Sequence, residues 1–259
     1  MSRGQTHITV YGRRAVLEAL AAKTVETIAV TVAQETPAPF RKELAGACRA
    51  RGVEPTVANF AEVGRLSGDA RNDQGVVARI RLMNVTEVDA FVQGLTGAAA
   101  ARPVRIIALD AVTNPQNIGM IVRSAAAAGI DAILWPGAGS PWVSGLIIKA
   151  SAATVYGFAI IRCHTLAEGL YELKAAGFTL FGLASEAGAN LFELRPPHRA
   201  AFVVGSETEG LSPEIDALMD ERLSIPMAPG IESLNVAAAA TLVCFAATGA
   251  GKRAGARNV

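Results

Sequence analysis

"VRIIALDAVTNPQNIGMIVRSAAAAG", residues 104–129, decides the fold class. Its opening, VRIIALD, has the branched apolar content of a buried strand. Ile118, Ile121, Val122 and Ala125 then recur at helical spacing, and Gly129 stands where a helix would close. A strand has passed directly into a helix. Working outward, the same alternation returns. Strands are expected near AILW, VYGFAII, FTLFGL, AFVVG and RLSIP, and helices at about 117–128, 143–151, 166–176 and 212–219, with a last one from 234. Strands alternating with helices predict an α/β fold, a mostly parallel sheet covered on both faces. In such sheets ligands collect at the carboxyl ends of the strands.

The front of the chain forms a second, smaller series. VYGRRAVLEALAA reads as a turn and a short helix with Ala15, Val16, Ala19 and Leu20 inward. TIAVTV, VEPTVA and GVVARIRL read as strands, FRKELAGACRARG and FAEVGRL as helices. GLTGAAAARPVR is rich in Gly and Ala and breaks at Pro103. The sequence therefore divides into an N-terminal α/β domain (1–82), a linker (83–103) and a C-terminal domain (104–259). Net charge is only +1, yet residues 1–82 carry 12 Lys and Arg against 8 Asp and Glu. A basic front half points to a polyanionic partner.

Other classes find no support. The 259 residues are 51% apolar, which suits packed layers and not a disordered chain. The start lacks the apolar core of a signal peptide, and the apolar run 234–248 is too short and interrupted to span a bilayer, so a cytoplasmic protein is expected. Cys48, Cys163 and Cys244 are far apart, and His7, His164 and His198 show no metal-ligand spacing, so no metal is expected. Neither a G-x-G-x-x-G nor a G-x-x-x-x-G-K-[ST] loop is present.

Three strand-to-helix junctions carry the polar residues. In NPQNIGMIVRSAAAAG, Asn117 sits at the expected helix start, and Arg123 lies roughly 140° from Ile118, off the core face. An N-cap and a surface cation would account for both. In VVGSETEGLS, two glycines, Gly205 and Gly210, bracket Glu207 and Glu209, residues suited to acid/base work or to capping the next helix. In SIPMAPGIESLNVAAA, Ser233 is a natural N-cap and Asn235 can satisfy a first-turn amide of an otherwise apolar helix.

Taken together, in this order, the three stretches resemble the three motifs of the SpoU (TrmH) family of RNA ribose 2′-O-methyltransferases. VYGRRAVLEAL and DQGVVARI resemble the family's N-terminal substrate-binding domain, itself similar to small ribosomal RNA-binding proteins. The resemblance implies a SPOUT fold with a C-terminal trefoil knot, which general topology rules would have argued against. It implies S-adenosyl-L-methionine as cofactor, with Gly205, Ile225 and Leu234 at the positions of its contacts. Asn117, Arg123, Glu207, Ser233 and Asn235 match the family's essential residues. It also implies a homodimer and an RNA partner, with Arg13, Arg14 and Arg71 as candidate RNA contacts.

The chemistry asks for a ribose 2′-hydroxyl aligned with a sulfonium methyl, so positioning contributes heavily. An arginine guanidinium holds its proton to about pH 12, which favours Arg123 as a clamp on phosphate and developing alkoxide over Arg123 as a base. Three positions depart from the family's habit: Ala237 and Glu232 in the third motif, and Asp73 where His is frequent. The expected substrate is a guanosine of 23S ribosomal RNA. Transfer RNA, an antibiotic-resistance methylation of ribosomal RNA, and a non-catalytic RNA-binding role are the alternatives.

Overall fold

The computed structural model describes residues 7–97, 101–184, 189–206, 208–231 and 233–249. Two compact units divide the chain. One holds residues 1–85 and 143–157, the other residues 86–142 and 158–259.

The first unit opens with β1 (His7–Tyr11), α1 (Arg13–Ala21), β2 (Val25–Ala33) and α2 (Ala38–Ala50). It continues through β3 (Thr56–Ala58), α3 (Phe60–Ser67) and β4 (Val76–Leu82). The four strands lie in the order β1-β4-β2-β3, and only β2 and β3 run parallel. Val16, Ala19 and Leu20 of α1 are buried as the spacing predicts, with Ala15 half-buried. Asp73 has a structural task. It is 2% exposed, accepts Ser67 Oγ at 2.9 Å and Gly75 N at 2.8 Å, and so fastens the turn into β4. Its carboxylate faces no solvent, so the departure at this position concerns the turn and not a direct RNA contact.

Residues 143–157 pack in this unit, although the sequence assigns them to the C-terminal domain. They form α6 (Gly145–Ala150) and a 3-10 turn at Thr154–Tyr156. Ile147, Ile148, Val155 and Tyr156 are buried, and α6 packs against α1 and β1. VYGFAII is therefore not one strand: Val155 and Tyr156 close the turn, Gly157 ends it, and the strand starts at Ala159.

The second unit is built on β6 (Val104–Leu109), β7 (Ala132–Pro136), β8 (Ala159–Cys163), β9 (Thr179–Leu183), β11 (Arg199–Val204) and β12 (Glu221–Ser224). Short strands β5 (Val85–Glu87) and β10 (Ala189–Asn190) complete the order β10-β12-β9-β11-β6-β7-β8-β5. The pairs from β10 to β8 are parallel. Every residue of β6 is buried, as a parallel strand covered on both faces requires. On one face Ile106, Ala108, Leu134 and Val203 meet α4 (Val88–Gln93), α7 (Leu166–Ala175) and α8 (Pro213–Asp216). On the other, α5 (Pro115–Ala128) and α9 (Val236–Thr248) pack on each other, and α9 also meets β6 and β11. Residues 83–103 are more than a linker. They carry β5 and α4, and Val88 and Leu95 are buried in the core, while 98–100 lie outside the described residues.

One buried polar group braces this unit. The Arg105 guanidinium donates to the carbonyls of Ala247 (3.2 Å), Val104 (3.0 Å), His198 (2.9 Å) and Pro196 (3.3 Å). Burial lowers its pKa from the ordinary value, and the nearby negative charge of Asp131 offsets part of that. The three cysteines are buried and free, and burial pushes the Cys163 and Cys244 thiols up to about 12.

Candidate active site

Chain reversal at the carboxyl ends of β9, β11 and β12 makes a cleft of ≈ 430 Å³. Gly205 from the loop after β11, and Ile225, Ser233 and Leu234 from the connection after β12, all line it. The wall is mixed. Leu183, Val204, Val236 and Ala239 supply apolar surface, and Ser206, Thr208 and Glu209 supply polar groups.

The loop after β11 folds back on itself. Ser206 N donates to Gly210 O at 2.9 Å, and Gly210 N donates to Ser206 O at 3.1 Å. A Cβ on residue 205 would sit 2.0 Å from Gly210 O, closer than any real contact. Glycine is thus demanded at 205 by the loop's own return, which comes before any close approach of a ligand. Gly210 itself has φ +68°, the left-handed region, and its added Cβ would meet nothing. Asp110, at the end of β6, secures the far side. It is buried and accepts Ser212 N at 2.6 Å, while its own N–H donates to Val204 O at 2.9 Å.

Both expected helix starts shift. Asn114 caps α5, accepting Gln116 N at 2.9 Å and Asn117 N at 3.4 Å, with Pro115 at the first helical position. Asn117 is therefore inside the helix, 5% exposed. Asn235, not Ser233, caps α9, accepting Ala237 N at 3.0 Å and Ala238 N at 3.4 Å. Its amide also donates to Asn117 Oδ1 at 3.3 Å. This bond joins the two motif helices at their N-terminal ends, where orphan amides favour partial negative charge.

Arg123 stands exposed on α5 and does not line the cleft of its own chain. Glu207 and Glu232 lie outside the described residues. In the first unit Arg13 reaches Gln74 O at 3.4 Å and lies 5.3 Å from the centre of the Phe40 ring. Arg14 pairs with Glu18 at 2.8 Å, and Arg71 is exposed in a turn. Sequence reasoning missed Leu183, Ala239 and Asp110. The first two sit at a strand end and in a helix interior, positions with no motif of their own. Asp110 ends the apolar VRIIAL run, and a polar residue at the carboxyl end of a buried strand was a signal to use. Among the described residues no group of three or more His, Cys, Asp and Glu is arranged to hold a metal, and no helix is long and apolar enough to cross a membrane.

Comparison with known proteins adds the following. The SpoU rRNA Methylase family profile matches residues 104–245, and the profile "RNA 2′-O ribose methyltransferase substrate binding" matches residues 9–84. The chain is similar to a 23S rRNA (guanosine-2′-O-)-methyltransferase, RlmB, of Xanthomonas axonopodis pv. citri, 34% identical over 212 residues, 81% of this chain and 83% of the relative. It is similar to an uncharacterized tRNA/rRNA methyltransferase of Mycobacterium avium, 33% identical over 236 residues, 91% of this chain and 75% of the relative. Its fold is similar to that of the SpoU methyltransferase AviRb from Streptomyces viridochromogenes, solved in complex with the cofactor AdoMet, with a TM-score of 0.78 at 22% identity over 96% of this chain and 91% of that one.

Proposed function

The chain belongs to the SpoU rRNA Methylase family, and from that premise we propose that it methylates the ribose 2′-hydroxyl of a guanosine in 23S ribosomal RNA. It is an S-adenosylmethionine-dependent RNA 2′-O-ribose methyltransferase with a SPOUT-type parallel sheet and a small N-terminal RNA-binding domain. The guanosine and the 23S target follow the activity of the Xanthomonas relative. One observation carries the reading. Three loops distant in sequence converge on one cleft, and the Asn235–Asn117 bond links that cleft to the helix bearing Arg123.

The cleft fits the cofactor's chemistry. Leu183, Ile225, Leu234 and Ala239 offer apolar surface for an aromatic base, and the loops around Gly205 and Ser233 offer backbone and hydroxyl groups for its polar edges. When bound, S-adenosylmethionine supplies a methyl group on a sulfonium, an excellent leaving group. What remains for the chain is to hold the ribose oxygen in line and to stabilise charge as its proton departs. Arg123 does the second, clamping the adjacent phosphate and the developing alkoxide. Asn117 and Asn235 fix the N-terminal end of α5, and Glu207 and Ser233 orient the ribose.

The protein acts as a cytoplasmic homodimer. Met120 on α5 and Phe245 on α9 are 42% and 39% exposed, apolar surface on the two helices that pack together. A dimer through this face also explains why Arg123 faces away from its own cleft: it serves the partner's. A C-terminal trefoil knot belongs to this reading, in the segment that carries β12 and α9. Arg13, Arg14 and Arg71 of the first unit supply affinity for the RNA backbone.

The decisive experiment maps 2′-O-methyl groups in total RNA from a deletion strain and its parent. Loss of one 23S guanosine methylation, restored in vitro by the purified protein and S-adenosylmethionine, is the expected result. Loss of a transfer RNA methylation would move the substrate, and no loss with no transfer in vitro would overturn the enzyme reading.

A further inference from the structure

Arg162 lies on β8, at the carboxyl end of the sheet, outside all three motifs. Its guanidinium carbon sits 4.2 Å from the centre of the Trp142 ring. Trp142 in turn meets Trp135 edge-on, with ring centres 5.6 Å apart and planes at 64°. Trp135 is fully buried and donates Nε1–H to Pro141 O at 3.2 Å, so it anchors the stack. Gly137 completes the arrangement. Its N–H donates to Cys163 O at 2.9 Å, and a Cβ there would stand 3.2 Å from Arg162 Nη2. The guanidinium therefore lies against bare backbone of the loop after β7.

The unusual feature is how this cation is partnered. Arg105 and Arg199 are also partly or fully buried, and both spend their donors on backbone carbonyls. Arg102 and Arg222 pair with Asp131 and Asp216. Arg162 is partly buried, and among the described residues no hydrogen bond or ion pair uses its guanidinium. None of its nitrogens is a buried atom lacking a partner, so the donors of the fork reach solvent while the Trp142 ring holds its plane. Trp142 itself has a buried indole N–H with no acceptor among the described residues. A planar fork of donors held rigid on an aromatic ring is suited to an oxyanion.

We propose that Arg162, laid on Trp142, binds a backbone phosphate of the RNA substrate at a nucleotide beside the reacting one. The inference rests on the RNA methyltransferase reading. Strand order sets the spacing: β11, at the cleft, is separated from β8 by β6 and β7. Three strand steps come to about 14 Å. That is too far for the phosphate clamped at the reacting ribose, and along the same carboxyl edge where the RNA must lie to reach the cleft.

The test uses the full chain and a 23S transcript that the wild type methylates. RNA dissociation constants are measured against salt concentration, with KM, kcat, S-adenosylmethionine affinity and melting temperature alongside. Arg162→Ala should weaken RNA binding about tenfold at low salt and reduce the salt slope by about 0.7 to 0.9, one phosphate contact. KM should rise more than kcat falls, and cofactor affinity should hold. Arg162→Lys should keep the slope and recover part of the affinity. Trp142→Leu should keep the slope and lose part of the affinity, because the charge remains and only its seat is lost. An Arg162→Ala protein with wild-type melting and an unchanged slope would overturn the proposal. So would Lys no better than Ala. If Arg162→Ala does not fold, Arg162→Gln against Arg162→Lys decides: a slope lost only in Gln supports the phosphate contact, and equal slopes reject it. A wild type with no methyl transfer would sink the enzyme reading itself, whereas an active wild type beside indifferent variants sinks only this contact.

Discussion

One amide at Asn235 serves two ends. Its oxygen caps α9, and its nitrogen reaches Asn117. An Asn thus opens an otherwise apolar helix because it must both accept from first-turn amides and donate across to α5. The two duties can be separated. Asn235→Asp keeps a cap acceptor and loses the donor, so melting should stay close to wild type while methyl transfer falls. Asn235→Ala loses both and should cost about 1 kcal/mol of stability besides. Equal destabilisation by the two variants, measured by thermal unfolding, would show that the cap is not the stabilising part. At this scale the sequence was only partly legible. Residue types were readable at Asn117 and Ser233, but their caps were not. Asn114 takes the first, a choice Pro115 already signalled. Ser233 stays in the cleft lining because the chain enters α9 two residues later.

At the scale of elements, the loop from Gly205 to Ser212 decides whether a cleft exists. Glycine at 205 is required by Gly210 O and glycine at 210 by its positive φ, so the two substitutions should differ. Gly205→Ala has no room without opening the Ser206–Gly210 pairing. It should lower melting and abolish cofactor binding together. Gly210→Ala meets only backbone strain, about 1 kcal/mol, and should retain measurable cofactor affinity. Calorimetric titration of both proteins with S-adenosylmethionine checks the order, and a Gly210→Ala protein weaker than Gly205→Ala would contradict it. Strands and helices of the second unit were largely legible because each buries a continuous apolar face. Their pairing was not. Leu183 and Ala239 line one cleft only because α9 returns to pack on β11 and β6, a long-range path that local periodicity does not encode.

The whole molecule does not divide where its composition shifts. A cut before Val104 would remove β5 and α4, with buried Val88 and Leu95, and would strip residues 143–157 of their packing partners in the first unit. Ile147, Ile148, Val155 and Tyr156 would then face water. Such a fragment should be digested by protease within 143–157 faster than the intact chain, so function across subunits is best tested in whole chains. Arg123 faces away from the cleft of its own chain, and in a homodimer through α5 and α9 it would complete the partner's. Arg123→Ala alone should abolish methyl transfer and leave cofactor affinity nearly intact. Pairing an Arg123→Ala chain with a Gly205→Ala chain discriminates the two geometries. If Arg123 acts across the interface, one site joins the missing arginine to the broken cleft and is dead, while the other keeps both working parts. Activity should return to roughly half that of the wild-type dimer, assuming independent sites. If Arg123 acts within its own chain, both sites of the mixed dimer are damaged and no activity returns. Loss of cofactor binding in Arg123→Ala itself would make Arg123 a cleft residue and remove its proposed part in stabilising the reacting ribose.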